Sequence, residues 1–96
     1  MAQVTWTERA LSDIEAITQY ISKDSPFYAN IFIKRVYKKV QLLLDFPTMG
    51  RVVPEYGEEN IRELIFQSYR IIYRIVNDNV DILTVIHGSR LLGEIE

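Results

Sequence analysis

The chain has 96 residues, 48% of them hydrophobic, with a formal net charge of −2 and no cysteine. That is one globular domain, residues 1–96, with ordinary charge content, and neither disulfides nor thiolate metal sites are available to it. No apolar run reaches the ~18 residues of a membrane span and no signal-peptide pattern opens the chain, so a cytoplasmic location without membrane contact is expected.

The charge is unevenly spread. Residues 31–51 carry five basic side chains (Lys34, Arg35, Lys38, Lys39, Arg51) against Asp45, and residues 52–63 carry Glu55, Glu58, Glu59 and Glu63 against Arg62. A basic helix followed by an acidic loop suits partners of opposite sign, and equally suits a solvated helix face and a solubilising loop. The net acidity argues against a surface that binds nucleic acid everywhere.

"AQVTW" reads as a short first strand. Thr7 can cap a helix, with Glu8 in its first turn, and Leu11, Ile14, Ile17 and Ile21 follow as one apolar stripe to about residue 22. "SKDSP" interrupts it, and Ser25 before Pro26 is a cap with proline at the first helical position. Phe32, Val36, Val40 and Leu43/Leu44 give the second helix its buried stripe, and Phe46 before Pro47 ends it. The fourteen residues "PTMGRVVPEYGEEN" form a loop long enough to suggest function. Three runs rich in Ile, Val and Tyr follow, "IRELIF", "YRIIYRIV" and "VDILTVIH", separated by turn residues. The tail "LLGEIE" is too short to assign. The expected fold is α+β, in the order β-α-α-β-β-β, with a helical hairpin packed on one face of an antiparallel sheet.

Strand parity places the polar residues. With Gln67-Ser68 as one two-residue loop, Ile65 faces Arg70 and Glu63 faces Ile72. With Asp78-Asn79 as the other, Arg70 lies opposite His87 and Arg74 is diagonal to Asp81. Tyr69, Ile71, Tyr73 and Ile75 then face the helices, and Glu63, Arg70, Arg74 and His87 share the other, open side. A carboxylate, a guanidinium and an imidazole so placed could cleave RNA. Glu63 or His87 would take a proton from a ribose 2′-hydroxyl and Arg70 would stabilise the charge on phosphorus. The same residues also suit a plain ion pair and a structural histidine at a strand end. The six tyrosines suit either an interface or the rim of a small core. No motif for a cofactor or a metal is present, and none is expected.

The pieces "WTERALSDIEAITQYI", "FPTMGRVVPE", "IRELIF", "YRIIYRI" and "ILTVIHGSR", in this order and spacing, resemble the RelE/ParE superfamily of type II toxin–antitoxin toxins over nearly the whole chain. The resemblance implies a small toxin neutralised by a cognate antitoxin whose extended or helical tail wraps around it. A homodimer and a heterotetramer with the antitoxin both stay open. "FPTMGRVVPE" and "VIHGSR" resemble the ParE, or plasmid-stabilisation, branch, which implies inhibition of DNA gyrase without enzymatic activity. Arg51, Arg62, Arg74 and Arg90 are then candidates for target contact. RelE-like members instead cut mRNA on the ribosome, and Arg70 matches their phosphate-contacting arginine. On that alternative Glu63, Arg70 and His87 are the catalytic set. The loop after the second helix has only Arg51 and "LLGEIE" lacks a tyrosine, which departs from the RelE pattern. A non-toxic relative that acts only in complex formation is a third reading.

Overall fold

The computed structural model describes residues 2–93. Its elements are β1 (Val4–Trp6), α1 (Glu8–Asp24), α2 (Pro26–Gln41), β2 (Arg51–Val52), β3 (Ile61–Phe66), β4 (Tyr69–Val76) and β5 (Asn79–His87). A single 3-10 turn, Leu42–Leu44, extends α2. The two helices pack on one face of a five-stranded sheet of order β1-β5-β4-β3-β2.

Caps set the helix boundaries as the sequence suggests. Thr7 Oγ1 accepts the Ala10 N–H at 3.1 Å, and its own proton goes to the Ile82 carbonyl at 2.8 Å. One threonine thus starts α1 and ties it to β5. Ser25 closes α1 through its N–H to Ile21 O and opens α2 by accepting the Tyr28 N–H at 3.2 Å. Proline at the first position of α2 has no N–H to leave unpaired. Ala10, Ile14, Phe32, Val36, Val40 and Leu43 are buried against Leu64, Ile71, Tyr73, Ile82 and Val85. Burying each larger aliphatic or aromatic side chain there stabilises the fold by about 1.5–3 kcal/mol. A half-buried carboxylate adds a second tie between layers. Asp13 of α1 accepts the Val85 N–H at 3.0 Å and the Thr84 hydroxyl.

The sheet departs from the expected antiparallel meander at both edges. β1 pairs with β5 in parallel, Val4 beside Val80 and Trp6 beside Ile82, so the sheet is mixed. The long loop also contains β2, which pairs with β3 through Arg51–Glu63 and Val52–Arg62.

The first hairpin has the expected register, with Ile65 opposite Arg70 and Glu63 opposite Ile72. The second does not. Its loop is Asn77-Asp78, one residue earlier than Asp78-Asn79, because Asn77 takes the left-handed conformation, φ 56°, that a tight hairpin turn requires. A bulge beside Ile72/Tyr73 then leaves Leu83 without an opposite residue. Arg74 therefore pairs directly with Asp81, Arg70 faces Ile86, and His87 faces Tyr69. His87 does not share the Arg70 face.

Nor is that face open. Val53, Ile61, Ile72 and Leu83 form a second apolar cluster on it, covered by Tyr56 and Leu92. Glu63 and Arg70 are 1% and 5% exposed in consequence.

Candidate functional site

β3 and β4 bring Glu63 and Arg70 side by side under the loop that carries Glu55 and the segment after β5. Arg70 Nε donates to Glu63 Oε1 at 2.7 Å, and Nη2 stands 2.6 Å from the same oxygen. Nη1 and Nη2 reach the two oxygens of Glu55, each at 2.8 Å, and Nη1 also donates to the Arg90 carbonyl at 2.8 Å. Arg51 Nε donates to the other Glu63 oxygen. Among the described residues no buried side-chain nitrogen or oxygen lacks a partner.

Electrostatics follow from these contacts. The charged hydrogen bond from Arg70, helped by the Leu92 N–H, holds the Glu55 carboxyl at about 2, well below its ordinary 4.5. Glu55 in turn raises the Arg70 guanidinium above its ordinary value, against the opposing effect of burial. Arg70 is a permanent buried cation locked by two carboxylates and a carbonyl.

The cluster is also a clasp. Glu55 Oε2 accepts the Leu92 N–H at 3.0 Å, and the Tyr56 hydroxyl donates to the Gly93 carbonyl. One guanidinium joins the sheet, the acidic loop and the segment that follows β5.

The other candidates stand elsewhere. Exposed His87 packs edge-on against Tyr69, ring centroids 5.9 Å apart, and its Nδ1 lies 2.8 Å from Ser89 Oγ. Arg62 is on the helix side, where Nη1 donates to Gly50 O at 2.9 Å and Nη2 pairs with Glu59 at 3.1 Å. Arg74, half-buried, lies across from Asp81. Arg51 keeps an exposed guanidinium, 62% accessible, and Arg90 is exposed while its carbonyl serves Arg70.

Sequence reasoning missed Glu55, which it counted only as loop charge. The available signal was chemical, since an arginine in a strand between two isoleucine-rich faces needs more than one acceptor when buried. It also missed Tyr73. The Tyr73 hydroxyl donates to Pro47 O at 2.6 Å and accepts the Gly50 N–H at 3.0 Å, and burial pushes its pKa up.

A separate surface feature lies between the helices. Trp6, Leu11, Ile14, Ile33, Val36 and Tyr37 line an apolar cleft, with Leu11 and Tyr37 more than half exposed.

Residues 4–92 match the family model described as the ParE toxin of the type II toxin–antitoxin system parDE. The chain belongs to the ParE toxin family. It is 36% identical over 92 residues to Toxin RelE2 of Caulobacter vibrioides, covering 95% of this chain and 100% of that protein. Its fold is similar to a solved chain of the chromosomal ParDE TA system from P. aeruginosa, with a TM-score of 0.73 at 21% identity. That match covers 91% of this chain and 96% of the other. The two-helix layer on a mixed sheet is thus the ParE fold, and the chain is a toxin of the ParE/RelE superfamily.

Proposed function

We propose that this ParE-family toxin acts by binding, inhibiting DNA gyrase, and that a cognate antitoxin neutralises it. The observation that carries this reading is the engagement of Arg70. Its three guanidinium nitrogens already hold two carboxylates and a carbonyl, and both Glu63 oxygens are engaged by arginines. Gripping a scissile phosphate would require breaking the clasp. Such a residue stabilises a scaffold more readily than a developing charge, because a preorganised donor must aim at where that charge appears.

The antitoxin finds its seat in the cleft between α1 and α2. Leu11, Ile33 and Tyr37 are 53%, 38% and 57% exposed there and sit at spacings that accept an amphipathic helix. Arg51 and Arg90 are the exposed target-contact candidates on the sheet side, whereas Arg62 is committed to the turn at residues 48–50.

A second reading, a ribosome-dependent endoribonuclease, draws on the relative named Toxin RelE2 and on the convergence of Glu63 with Arg70. Expression of the chain without a partner separates the two. Loss of gyrase-dependent supercoiling with intact messages supports the binding toxin, and new codon-phased mRNA ends with normal supercoiling support the nuclease.

A further inference from the structure

Two exposed edges run along α2, on opposite flanks of its buried stripe. Ile33 and Tyr37 form the edge beside α1. Arg35, half-buried Lys39 and exposed Leu42 form the other, roughly 200° further round at 100° per residue, and Phe46 continues it past the 3-10 turn. Leu42, Phe46 and Met49 are 46%, 59% and 41% exposed, and Asp45 is the single acid between residues 31 and 51.

The tip of this edge is held rigidly although it is apolar and exposed. Tyr73 fastens Pro47 and Gly50 from beneath, and Arg62 holds Thr48 at 3.4 Å and Gly50 at 2.9 Å. Those two anchors are cross-strand partners, and Met49 N–H donates to Phe46 O at 3.1 Å. Gly50 itself leaves no room for a side chain, since a Cβ would meet Glu63 O at 2.5 Å. A large apolar side chain presented on a preorganised turn loses little entropy on docking, which is what an interface anchor requires.

We propose that this edge, Arg35–Lys39–Leu42–Phe46–Met49, is the surface through which the toxin grips its target, and that it fits an acidic protein surface with an apolar recess. The proposal rests on the reading of a binding toxin. Charge complementarity selects an acidic partner. Met and Phe anchors with a basic rim are the composition of protein interfaces. The Glu59 carboxylate, paired with Arg62 right behind the turn, disfavours the phosphate backbone of a nucleic acid.

The test uses the full chain with purified DNA gyrase as the probe, together with growth inhibition in cells. Phe46→Glu and Lys39→Glu are each expected to weaken gyrase binding by about tenfold or more, the loss of roughly one interface anchor. Tyr20→Glu, at a 69% exposed position near the end of α1 and outside both this edge and the cleft, should bind gyrase within about twofold of wild type. Circular dichroism melting verifies folding, and Met49→Glu stands in if Phe46→Glu is unfolded. Unchanged gyrase binding in the folded variants overturns the surface while leaving the proposed function intact. A wild-type chain that neither binds gyrase nor slows growth overturns both. Binding to purified 70S ribosomes that falls with Lys39→Glu but not with Phe46→Glu marks a nucleic-acid contact and overturns the acidic-protein assignment.

Discussion

Arg70 and Glu55 meet fork to fork, Nη1 to Oε2 and Nη2 to Oε1, each at 2.8 Å. The pair joins a buried strand residue to a loop fifteen positions away, and the loop carboxylate also accepts Leu92 N–H. Bidentate geometry makes this a directional tie as well as an ionic one. It fixes where the acidic loop and the segment after β5 lie over the second apolar cluster.

Acid should release that tie. Glu55 is held at about 2 against an ordinary 4.5, so its contribution is complete above the ordinary value and fades as pH falls toward 2. Allowing for solvent screening of a carboxylate that is 19% exposed, Glu55→Gln should cost about 1 kcal/mol at pH 7. Urea unfolding of wild type and Glu55→Gln should therefore converge between about pH 5 and pH 2. A difference that does not shrink with acid would show that the carboxylate charge is not what holds the loop.

Removing Arg70 is a harsher change. Arg70→Ala leaves Glu63 buried with only Arg51 as its cation and frees Glu55 from its pair, a loss of about 3–5 kcal/mol by analogy with broken buried ion pairs. Chemical denaturation should show it. Arg70→Lys should recover only part of the loss, because an ammonium cannot form the fork. Loss of toxicity in Arg70→Ala at a temperature where it is unfolded would say nothing of catalysis, so toxicity is to be compared below its melting point.

The legible parts of this fold are those in which one local signal dominates. Ser25-Pro26 sets the helix junction, and Gln67-Ser68 is the only pair of turn residues between two apolar runs, so the Glu63, Ile65 and Arg70 register follows from counting. The second hairpin offers Asn77, Asp78 and Asn79 in succession, three residues that all tolerate a turn, and the bulge beside Leu83 has no glycine to announce it. His87 was misplaced for that reason. The clasp was half legible: Glu63 and Arg70 come together by parity, but Glu55 arrives through a loop whose path depends on Val53 and Leu92 packing over the sheet. Side-chain period says which face a strand residue takes, and nothing about which loop will cover it.

The turn at residues 47–50 depends on one phenol. Tyr73→Phe removes the donor to Pro47 O and the acceptor of Gly50 N–H without changing the ring's packing. Leaving buried groups unpaired costs about 1–3 kcal/mol each, partly relieved where water can enter, so a total near 2 kcal/mol is expected in a urea melt. Gly50→Ala should be at least as damaging, because its Cβ would also fall 2.6 Å from the Tyr73 hydroxyl.

His87 gives the cleanest separation of binding from catalysis. Its ring is exposed, rests on Tyr69 and contacts Ser89, and among the described residues no buried group depends on it. His87→Ala should therefore change stability by about 0.5 kcal/mol or less, as for surface positions generally. If the toxin acts by binding through the α2 edge, growth inhibition by this variant should match wild type at equal soluble level. A histidine that carried the proton of RNA cleavage would instead lower the cutting rate by about 10²–10⁴-fold on removal. Because the folded protein persists in this variant, a large fall in toxicity would count directly against the binding reading, which Arg70 variants cannot do.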